Sequence, residues 1–228
     1  METLNLPKHV GIIMDGNGRW ATARGKNRSY GHQIGSKNVD KIVSHAFKSG
    51  VKALTLYAFS SENWARPKEE VEKLMKLIED YLKKFTKKVI KNGVRLKVIG
   101  SREKLSPDLV ELIKESEEKS KINTERYLNI AINYGARGEI VRAVKKLVAE
   151  NKEITEQSIL ESLDTACCGE VDLIIRTGGE KRLSNFLLYQ GAYSEFYFTD
   201  TLWPDFDDGE FDKAIEEFSN RNRRFGKV

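Results

Sequence analysis

The 228-residue chain holds only two cysteines, Cys167 and Cys168, and they are adjacent. Neighbouring thiols have neither the spacing of a thiolate metal site nor the reach of a disulfide staple, so a disulfide-framed fold and a cysteine metal centre are both excluded. The pair is read as structural or incidental. No apolar run approaches the roughly 20 residues that a membrane span requires. The opening Met-Glu-Thr-Leu-Asn-Leu-Pro has no basic and apolar regions of the signal-peptide kind. A cytoplasmic protein is expected. Internal repeats, low-complexity tracts and linkers rich in Pro, Gly or Ser are also missing, which favours a single domain over residues 1–228.

What is present is a hydrophobic content of 39%, enough for a sizeable core, and a formal net charge of +5. A basic balance fits an acidic partner: nucleic acid, an anionic membrane or a phosphorylated substrate. Strand-like runs at 11–14, 53–58, 95–99, 128–132, 173–176 and 195–198 alternate with helix-like segments. That alternation predicts right-handed crossovers and an α/β fold with a central, mainly parallel six-stranded sheet flanked by helices. Ligands of such sheets gather at the carboxyl ends of the strands. Asp15, Ser60, Ser61, Asn63 and Arg176 directly follow strand-like runs, so they should meet on one rim. The longest helix is predicted from Pro67 to Asn92, about 40 Å at the α-helical rise. Val71, Leu74, Met75, Ile78, Leu82, Phe85 and Val89 recur along it at spacings of three and four. The stripe faces either the core or a tunnel for a long apolar chain. Lys83, Lys84, Lys87, Lys88 and Lys91 on the same helix read as a solvated face.

Chemistry concentrates in three segments. Val10 to Met14 form an apolar strand ending on Asp15, followed by Gly16-Asn17-Gly18-Arg19-Trp20-Ala21. The glycines let the backbone turn and approach a ligand, free N–H groups would face a diphosphate, and Arg19 offers a forked partner. An aspartate there would repel phosphate unless a hard cation bridged the two, which suggests Mg²⁺. The loop also satisfies the G-x-G-x-x-G/A dinucleotide pattern, but that pattern expects a ribose-holding acidic residue near the end of the second strand, which here ends Tyr57-Ala58-Phe59-Ser60-Ser61. Arg28, His32 and the segment Phe59 to Pro67, with Ser60, Ser61, Glu62, Asn63, Trp64 and Arg66, add polar and basic groups. Part of that segment is accounted for as a helix cap. Arg176, Arg182 and Ser184 around Gly178-Gly179 form a second anion cradle. Glu195 opens an apolar strand and, with a second carboxylate at Asp15, is a candidate second-sphere or direct Mg²⁺ ligand. His9 and His45 are read as structural.

Together, the blocks His9–Ala21, Tyr57–Pro67, Asn129–Arg137, Asp172–Gln190 and Glu195–Phe206, with Arg223-Arg224-Phe225-Gly226, resemble the cis-prenyltransferase family, and within it the bacterial undecaprenyl diphosphate synthases. Ala136 and Tyr189 stand where many members have glycine and tryptophan. The resemblance implies a hydrophobic tunnel beside the sheet and an Mg²⁺-dependent condensation of isopentenyl diphosphate onto farnesyl diphosphate. Its product would be a long polyprenyl diphosphate, most closely undecaprenyl diphosphate, the lipid carrier precursor for peptidoglycan and other cell-wall polysaccharides. It further implies that Asp15 is essential and binds Mg²⁺, with Glu195 as a further ligand. Gly16, Asn17, Gly18, Arg19, Arg28 and His32 would hold the allylic diphosphate and Trp20 would pack near its hydrocarbon. Arg176, Arg182, Leu183 and Ser184 would hold isopentenyl diphosphate. Asn63 is the family's proposed proton acceptor, supported by Ser60, Ser61, Glu62, Trp64 and Arg66. Members are homodimers, and residues 224–226 look like a segment reaching a partner's site. No nucleic acid is implied, and peripheral contact with the inner face of the membrane would serve product release. Asp207, Asp208 and Asp212 do not make the DDxxD spacing of all-helical prenyl synthases. Two rivals are a nucleotide-dependent oxidoreductase and a non-catalytic partner subunit. The retention of Asp15, Asn17, Arg19 and Asn63 argues against the latter.

Overall fold

In β1 (His9–Ile13), Val10 and Ile12 turn to one face while Gly11 and Ile13 turn to the other, and the whole strand is buried. That pattern marks a central strand of a parallel sheet covered on both sides. The computed structural model, which describes residues 5–221, bears this out. With β2 (Ala53–Ser60), β3 (Val94–Ile99), β4 (Arg126–Tyr134), β5 (Leu173–Arg176) and β6 (Glu195–Phe198), β1 forms one sheet of order β3-β4-β2-β1-β5-β6. Every pairing is parallel.

The helices are α1 (Asn17–Thr22), α2 (Arg28–Lys48), α3 (Lys68–Lys91), α4 (Pro107–Ser120), α5 (Ala136–Ala149), α6 (Glu156–Ser162) and α7 (Asp208–Ser219). On one face, Val10, Ile12, Leu54, Leu56, Leu128 and Ile130 pack with Val39 and Ile42 of α2, Leu82 and Phe85 of α3, and Phe211 and Phe218 of α7. On the other face, Ile13, Ala131 and Ile174 pack with Ala136, Phe186 and Leu187. Each such fully buried Leu, Ile or Phe contributes about 1.5–3 kcal/mol.

Local signals set the helix ends. Asn27 caps α2, its side chain accepting from the Tyr30 N–H, and Ser106 and Asp207 do the same for α4 and α7. Glu69 and Glu70 in the first turn of α3 and Lys88 and Lys91 in its last suit the helix dipole. The two histidines read as structural are so: His9 meets Thr55 Oγ1 at 2.7 Å inside the sheet, and His45 meets Asp212 at 2.6 Å. Cys167 and Cys168 are free thiols.

The chain runs outward from β1 through β2 to β3 and β4, then returns to place β5 on the other side of β1. The connections therefore diverge at the carboxyl ends of β1 and β5, where a crevice opens between them. Asp15 and Arg176 stand at that point. Beside it, the end of β2 slips register against β4 around Phe59, and both Tyr57 and Ala58 border the adjoining cavity. A bulge of this kind re-aims side chains next to a site.

Candidate active site

After Ile13 the chain turns at Gly16, whose φ of 107° is a left-handed conformation that disfavours any residue with a Cβ. The Asp15 carboxylate accepts from the Gly16 N–H at 2.6 Å, and its carbonyl accepts from Thr177 Oγ1 at 2.7 Å and the Trp203 N–H at 2.9 Å. Arg176 Nη2 donates to the other Asp15 oxygen at 2.9 Å, and Arg19 lies 3.4 Å from the first. Partial burial alone would raise the Asp15 pKa. The hydrogen bond and charge of Arg176, the Gly16 N–H and the charge of Arg19 outweigh it and hold the carboxyl below its ordinary range.

Two glycines of α2 seat this loop. A Cβ on Gly31 would stand 1.9 Å from the Asn17 carbonyl oxygen, and one on Gly35 would stand 2.0 Å from Asn17 Oδ1. Spaced one helical turn apart, they form a socket for the backbone entering α1. Asn17 Nδ2 donates to the Met14 carbonyl at 3.1 Å. Asn38 and Trp203 lock the outer side: Asn38 Nδ2 donates to the Trp203 and Phe206 carbonyls, and Trp203 Nε1 donates to the Gly35 carbonyl.

Arg176 is only 4% exposed. Its Nη1 donates to the Arg182 carbonyl and, at 2.8 Å, to Ser184 Oγ, so the second anion cradle is built around one buried guanidinium. Ser184, Asn185 and Leu187 all take left-handed backbone conformations (φ 49°, 63° and 45°). Non-glycine residues hold such angles only where neighbours over-determine them. Here Tyr57 donates to the Ser184 carbonyl and Asn185 Nδ2 to Glu62, while the Ala136 and Arg137 N–H groups donate to Asn185.

The third group lies where α2 meets α3. Arg66 reaches Glu70 at 3.1 Å and Arg28 reaches the same oxygen at 3.7 Å, so one carboxylate gathers two guanidiniums beside His32. Burial first, then the charges of Arg66 and Arg28, lower the His32 pKa to about 4, with Glu70 opposing. The imidazole is neutral at neutral pH. Sequence reading missed Glu70, because an acidic residue in the first turn of a helix already has a reason to be there.

A 3₁₀ turn, Ser61–Ala65, carries Asn63. Asn63 Oδ1 accepts the Ser60 N–H at 3.1 Å, which leaves the amide NH₂ as the group it can offer a ligand. Trp64 Nε1 donates to Asn133 Oδ1 at 2.8 Å, and Asn133 is tied in turn to the Ser101 and Glu103 carbonyls. Ser61 and Glu62 bond to each other and Glu62 to Asn185, closing this turn onto the Arg176 cradle.

These groups border one cavity of about 420 Å³. Asp15, Gly16, Asn17, Gly18, Arg28, His32, Ser60, Asn63, Arg66, Arg176, Arg182 and Ser184 line its polar part. Val39, Leu56, Leu74, Leu77, Ile78, Tyr81, Leu82 and Ile130 line the remainder. Arg19, Trp20, Ser61, Glu62, Trp64 and Leu183 do not border it. Trp20 bonds instead to Asp205 at 2.7 Å under Arg24, and Leu183 packs on the second face of the sheet. The stripe predicted on α3 divides: Val71, Phe85 and Val89 are buried in the core with Met75 packed against it, Leu74 and Leu82 are buried and also border the cavity, and Ile78 faces the cavity together with Leu77 and Tyr81, which the stripe did not include.

Glu195 requires a correction, since within one chain it does not join Asp15. The sheet register sets Glu195 beside Leu173, at the entrance of the edge strand, whereas Arg176 and the adjoining Asp15 lie at the strands' carboxyl ends. Glu195 pairs with Arg221 at 2.9 Å. Among the described residues no cluster of three or more His, Cys, Asp or Glu side chains could hold a metal. A single ionised carboxylate beside cationic anion cradles nonetheless suits Mg²⁺, which is commonly held by one carboxylate and a substrate's phosphates. The segment 223–226 lies outside the described residues.

Residues 13–226 match the family model described as "Putative undecaprenyl diphosphate synthase". An isoprenyl transferase of Aquifex aeolicus is 50% identical over 99% of this chain and 98% of its own. A farnesyl-diphosphate-specific ditrans,polycis-undecaprenyl-diphosphate synthase of Photorhabdus laumondii is 50% identical over 97% of this chain and 90% of its own. The crystal structure of lavandulyl diphosphate synthase from Lavandula x intermedia, in complex with dimethylallyl diphosphate, superposes with a TM-score of 0.93 at 36% identity, covering 97% and 99% of the two chains. The oxidoreductase reading of the glycine loop is thereby set aside. With its whole length matched and its polar site opening into an apolar cavity, this chain belongs to the undecaprenyl diphosphate synthase family of cis-prenyltransferases and is an isoprenyl transferase.

Proposed function

We propose that the enzyme condenses isopentenyl diphosphate sequentially onto farnesyl diphosphate with Mg²⁺ and releases a long polyprenyl diphosphate of the undecaprenyl class, a carrier precursor for cell-wall polysaccharides. One observation carries this reading. His32 Nε2 and Arg176 Nε are buried with no protein partner among the described residues, and both residues border the cavity whose far part is apolar. Buried polar atoms left unpaired call for a ligand that pairs them. An amphiphile with a diphosphate head and a hydrocarbon tail does so. The farnesyl-diphosphate specificity of the Photorhabdus relative supports farnesyl diphosphate as that amphiphile.

In this reading Gly16 to Gly18, Arg28, His32 and Arg66 hold the allylic diphosphate, and Arg176, Arg182 and Ser184 hold isopentenyl diphosphate. Asp15 stands between the two groups, where Mg²⁺ would be held, neutralising charge that develops on the leaving diphosphate. As the allylic C–O bond breaks, the fixed guanidiniums stabilise the leaving group more than the bound substrate. The isopentenyl double bond then attacks and a proton is lost. Asn63 is not the base in this reading, because a neutral amide is too weakly basic to take the proton. Its NH₂ orients a diphosphate oxygen or an ordered water that takes the proton. The apolar walls from α2 and α3 shelter the growing chain from water. The reading extends to a cytoplasmic homodimer with peripheral membrane contact, tested by light scattering and vesicle flotation. Among the described residues, no helix is long and apolar enough to cross a membrane.

The direct test incubates the protein with farnesyl diphosphate, labelled isopentenyl diphosphate and Mg²⁺, with and without EDTA, and resolves the products by chain length. A metal-dependent polyprenyl ladder that disappears in Asp15→Ala is the expected result. Label that never enters lipid would overturn the reading. Near-normal turnover in both Asn63→Asp and Asn63→Ala would remove Asn63 from it.

A further inference from the structure

The 3₁₀ turn Ala166–Cys168 carries the chain's only two thiols, which the sequence alone leaves without a role. The turn lies against the face of the sheet turned away from α2 and α3. Asn129 alternates along β4 with Leu128 and Ile130, which pack on the α2 and α3 side, so its own side chain points to the other face. There Asn129 Nδ2 donates to Cys168 Sγ at 3.4 Å and to Thr55 Oγ1 at 2.9 Å. Asn129 is fully buried, so Cys168 is tethered to the sheet interior. Cys167 is exposed, and its sulfur lies 3.5 Å from that of Cys168.

The surroundings are basic. Lys97 of the edge strand β3 stands in register with Asn129, and its ammonium donates to the Asp164 carbonyl at 2.9 Å, at the base of the same loop. Arg95, two residues earlier on β3, shares that face. The Asp164 carboxylate is engaged elsewhere, by Arg142 at 2.6 Å and the Gly100 N–H at 2.9 Å. A hydrogen bond from the Cys168 thiol, with the charges of Lys97 and Arg95 behind it, outweighs burial and lowers the Cys167 pKa to about 6. The same bond, together with burial, pushes the Cys168 thiol up. At neutral pH the exposed sulfur is therefore a thiolate and the tethered one keeps its proton. An accessible thiolate in a cationic setting, beside a second thiol, is the arrangement that oxidants select.

We infer that Cys167 and Cys168 form an oxidation site, at which a hydroperoxide converts the two thiols into a reversible bond between neighbours. The Cys167 thiolate attacks the terminal peroxide oxygen, the O–O bond breaks, and the remaining oxygen leaves with a proton as alcohol or water, so Cys167 becomes a sulfenic acid. The Cys168 sulfur then attacks Cys167 Sγ. The S–S bond forms, the S–O bond breaks, and the hydroxyl departs with the Cys168 proton as water. The pair gives up two electrons and the peroxide accepts them. Adjacent Cα atoms are about 3.8 Å apart, closer than the roughly 4.4–6.8 Å usual across a disulfide. The bond is therefore strained, and strained, exposed disulfides are the readily reduced ones. The turn has slack for closure, since a Cβ on the following Gly169 would meet nothing within 4 Å. Transient bonds of this kind are the ones that occur in reducing compartments.

Neither thiol borders the active-site cavity, so the site is read by mass rather than by turnover. The test treats the reduced protein with one equivalent of hydrogen peroxide at neutral pH and measures the mass of the peptide containing both cysteines. That peptide is expected to lose two hydrogens, gain no oxygen, and recover its mass with dithiothreitol. In Cys168→Ser the reaction should stop at a Cys167 sulfenic acid, captured by dimedone. In Cys167→Ser peroxide consumption should fall at least about tenfold, because the remaining thiol keeps its proton. Protein unfolded in guanidinium keeps the two cysteines adjacent but loses Lys97, Arg95 and Asn129 from around them, and should react more slowly than the folded protein. A wild-type peptide that stays unchanged overturns the inference, as does one that gains oxygen without closing, or a bond that links two chains instead. Equal rates in folded and unfolded protein, or in wild type and Cys167→Ser, overturn it as well.

Discussion

Arg176 Nη2 meets the Asp15 carboxylate at 2.9 Å across the neighbouring ends of β5 and β1, while Nη1 of the same guanidinium holds Ser184 Oγ at 2.8 Å. One planar, nearly buried group thus ties the first anion loop to the second. Lysine carries the same charge but presents its donors from a single point, and cannot span both partners and the Arg182 carbonyl at once.

Arg176→Lys is therefore expected to act on stability and activity together. A buried acceptor left unpaired costs about 1–3 kcal/mol, which for a domain of this size lowers the melting temperature by roughly 2–12 °C. Loss of one positioned donor to the leaving or incoming diphosphate costs turnover on the order of 10²-fold. Thermal melts and kcat/KM for isopentenyl diphosphate check both. A variant with wild-type values in each would show that the cradle tolerates a point charge.

Gly31 and Gly35 make a second, sharper case. A methyl group at Gly31 would meet the backbone oxygen of Asn17 at 1.9 Å, and the backbone cannot rotate away as a side chain can. Gly31→Ala should cost about 1–3 kcal/mol by overpacking and weaken allylic diphosphate binding at least tenfold, because the displaced segment is the anion loop. Gly138 on α5 is the control. It is exposed, and a Cβ there meets only Arg142 Nη1 at 3.6 Å, so Gly138→Ala should gain about 0.5–1 kcal/mol. Melting curves and a substrate titration on the two variants separate the outcomes.

Much of this site is legible in the sequence, for a physical reason. In a parallel sheet the residues following the strands must share one edge, so Asp15, Asn63 and Arg176 could be brought together from strand endings alone. The long helix was equally plain from its periodicity. What the sequence hid were relationships between elements whose local role was already satisfied. Gly31 and Gly35 look like weak points in a helix until Asn17 is laid against them. Tyr81 looks like one more apolar residue until Asp40 is found at its hydroxyl. Glu195 was expected beside Asp15 because both carboxylates adjoin strands, but one opens its strand and the other follows the end of its own. That difference of position separates them along the sheet.

Trp64 and Asn133 yield a prediction about positioning. Trp64→Phe keeps the ring packed on Phe59 but removes the N–H that satisfies Asn133 Oδ1. The cost should be about 1–3 kcal/mol, and the loosened turn should lower kcat more than it raises KM, because it displaces the adjacent Asn63. Steady-state kinetics with both substrates would check this. A rise in KM with kcat intact would instead assign the turn to binding.

The two buried histidines provide the last prediction, in which pH and ligand act on the same kind of group with different results. Burial lowers both His9 and His32 from 6.5 to about 4. Between those values the unfolded chain binds protons that the folded protein does not, so stability falls as pH drops from about 6.5 toward 4. Each histidine contributes a slope of up to about 1.4 kcal/mol per pH unit in that window. Melts from pH 4 to 7 should show this, with a shallower slope in His9→Gln. Inorganic diphosphate should then distinguish the two sites. His32 borders the cavity between Arg28 and Arg66, and a bound anion there would favour its imidazolium and raise its pKa. His9 is enclosed within the sheet beside Thr55, away from the cavity lining, and its titration should not move. NMR titration of the imidazole C–H resonances reads each ring separately. If diphosphate binds without shifting His32, the anion sits elsewhere, and the allylic site would have to be rebuilt around Arg176 alone.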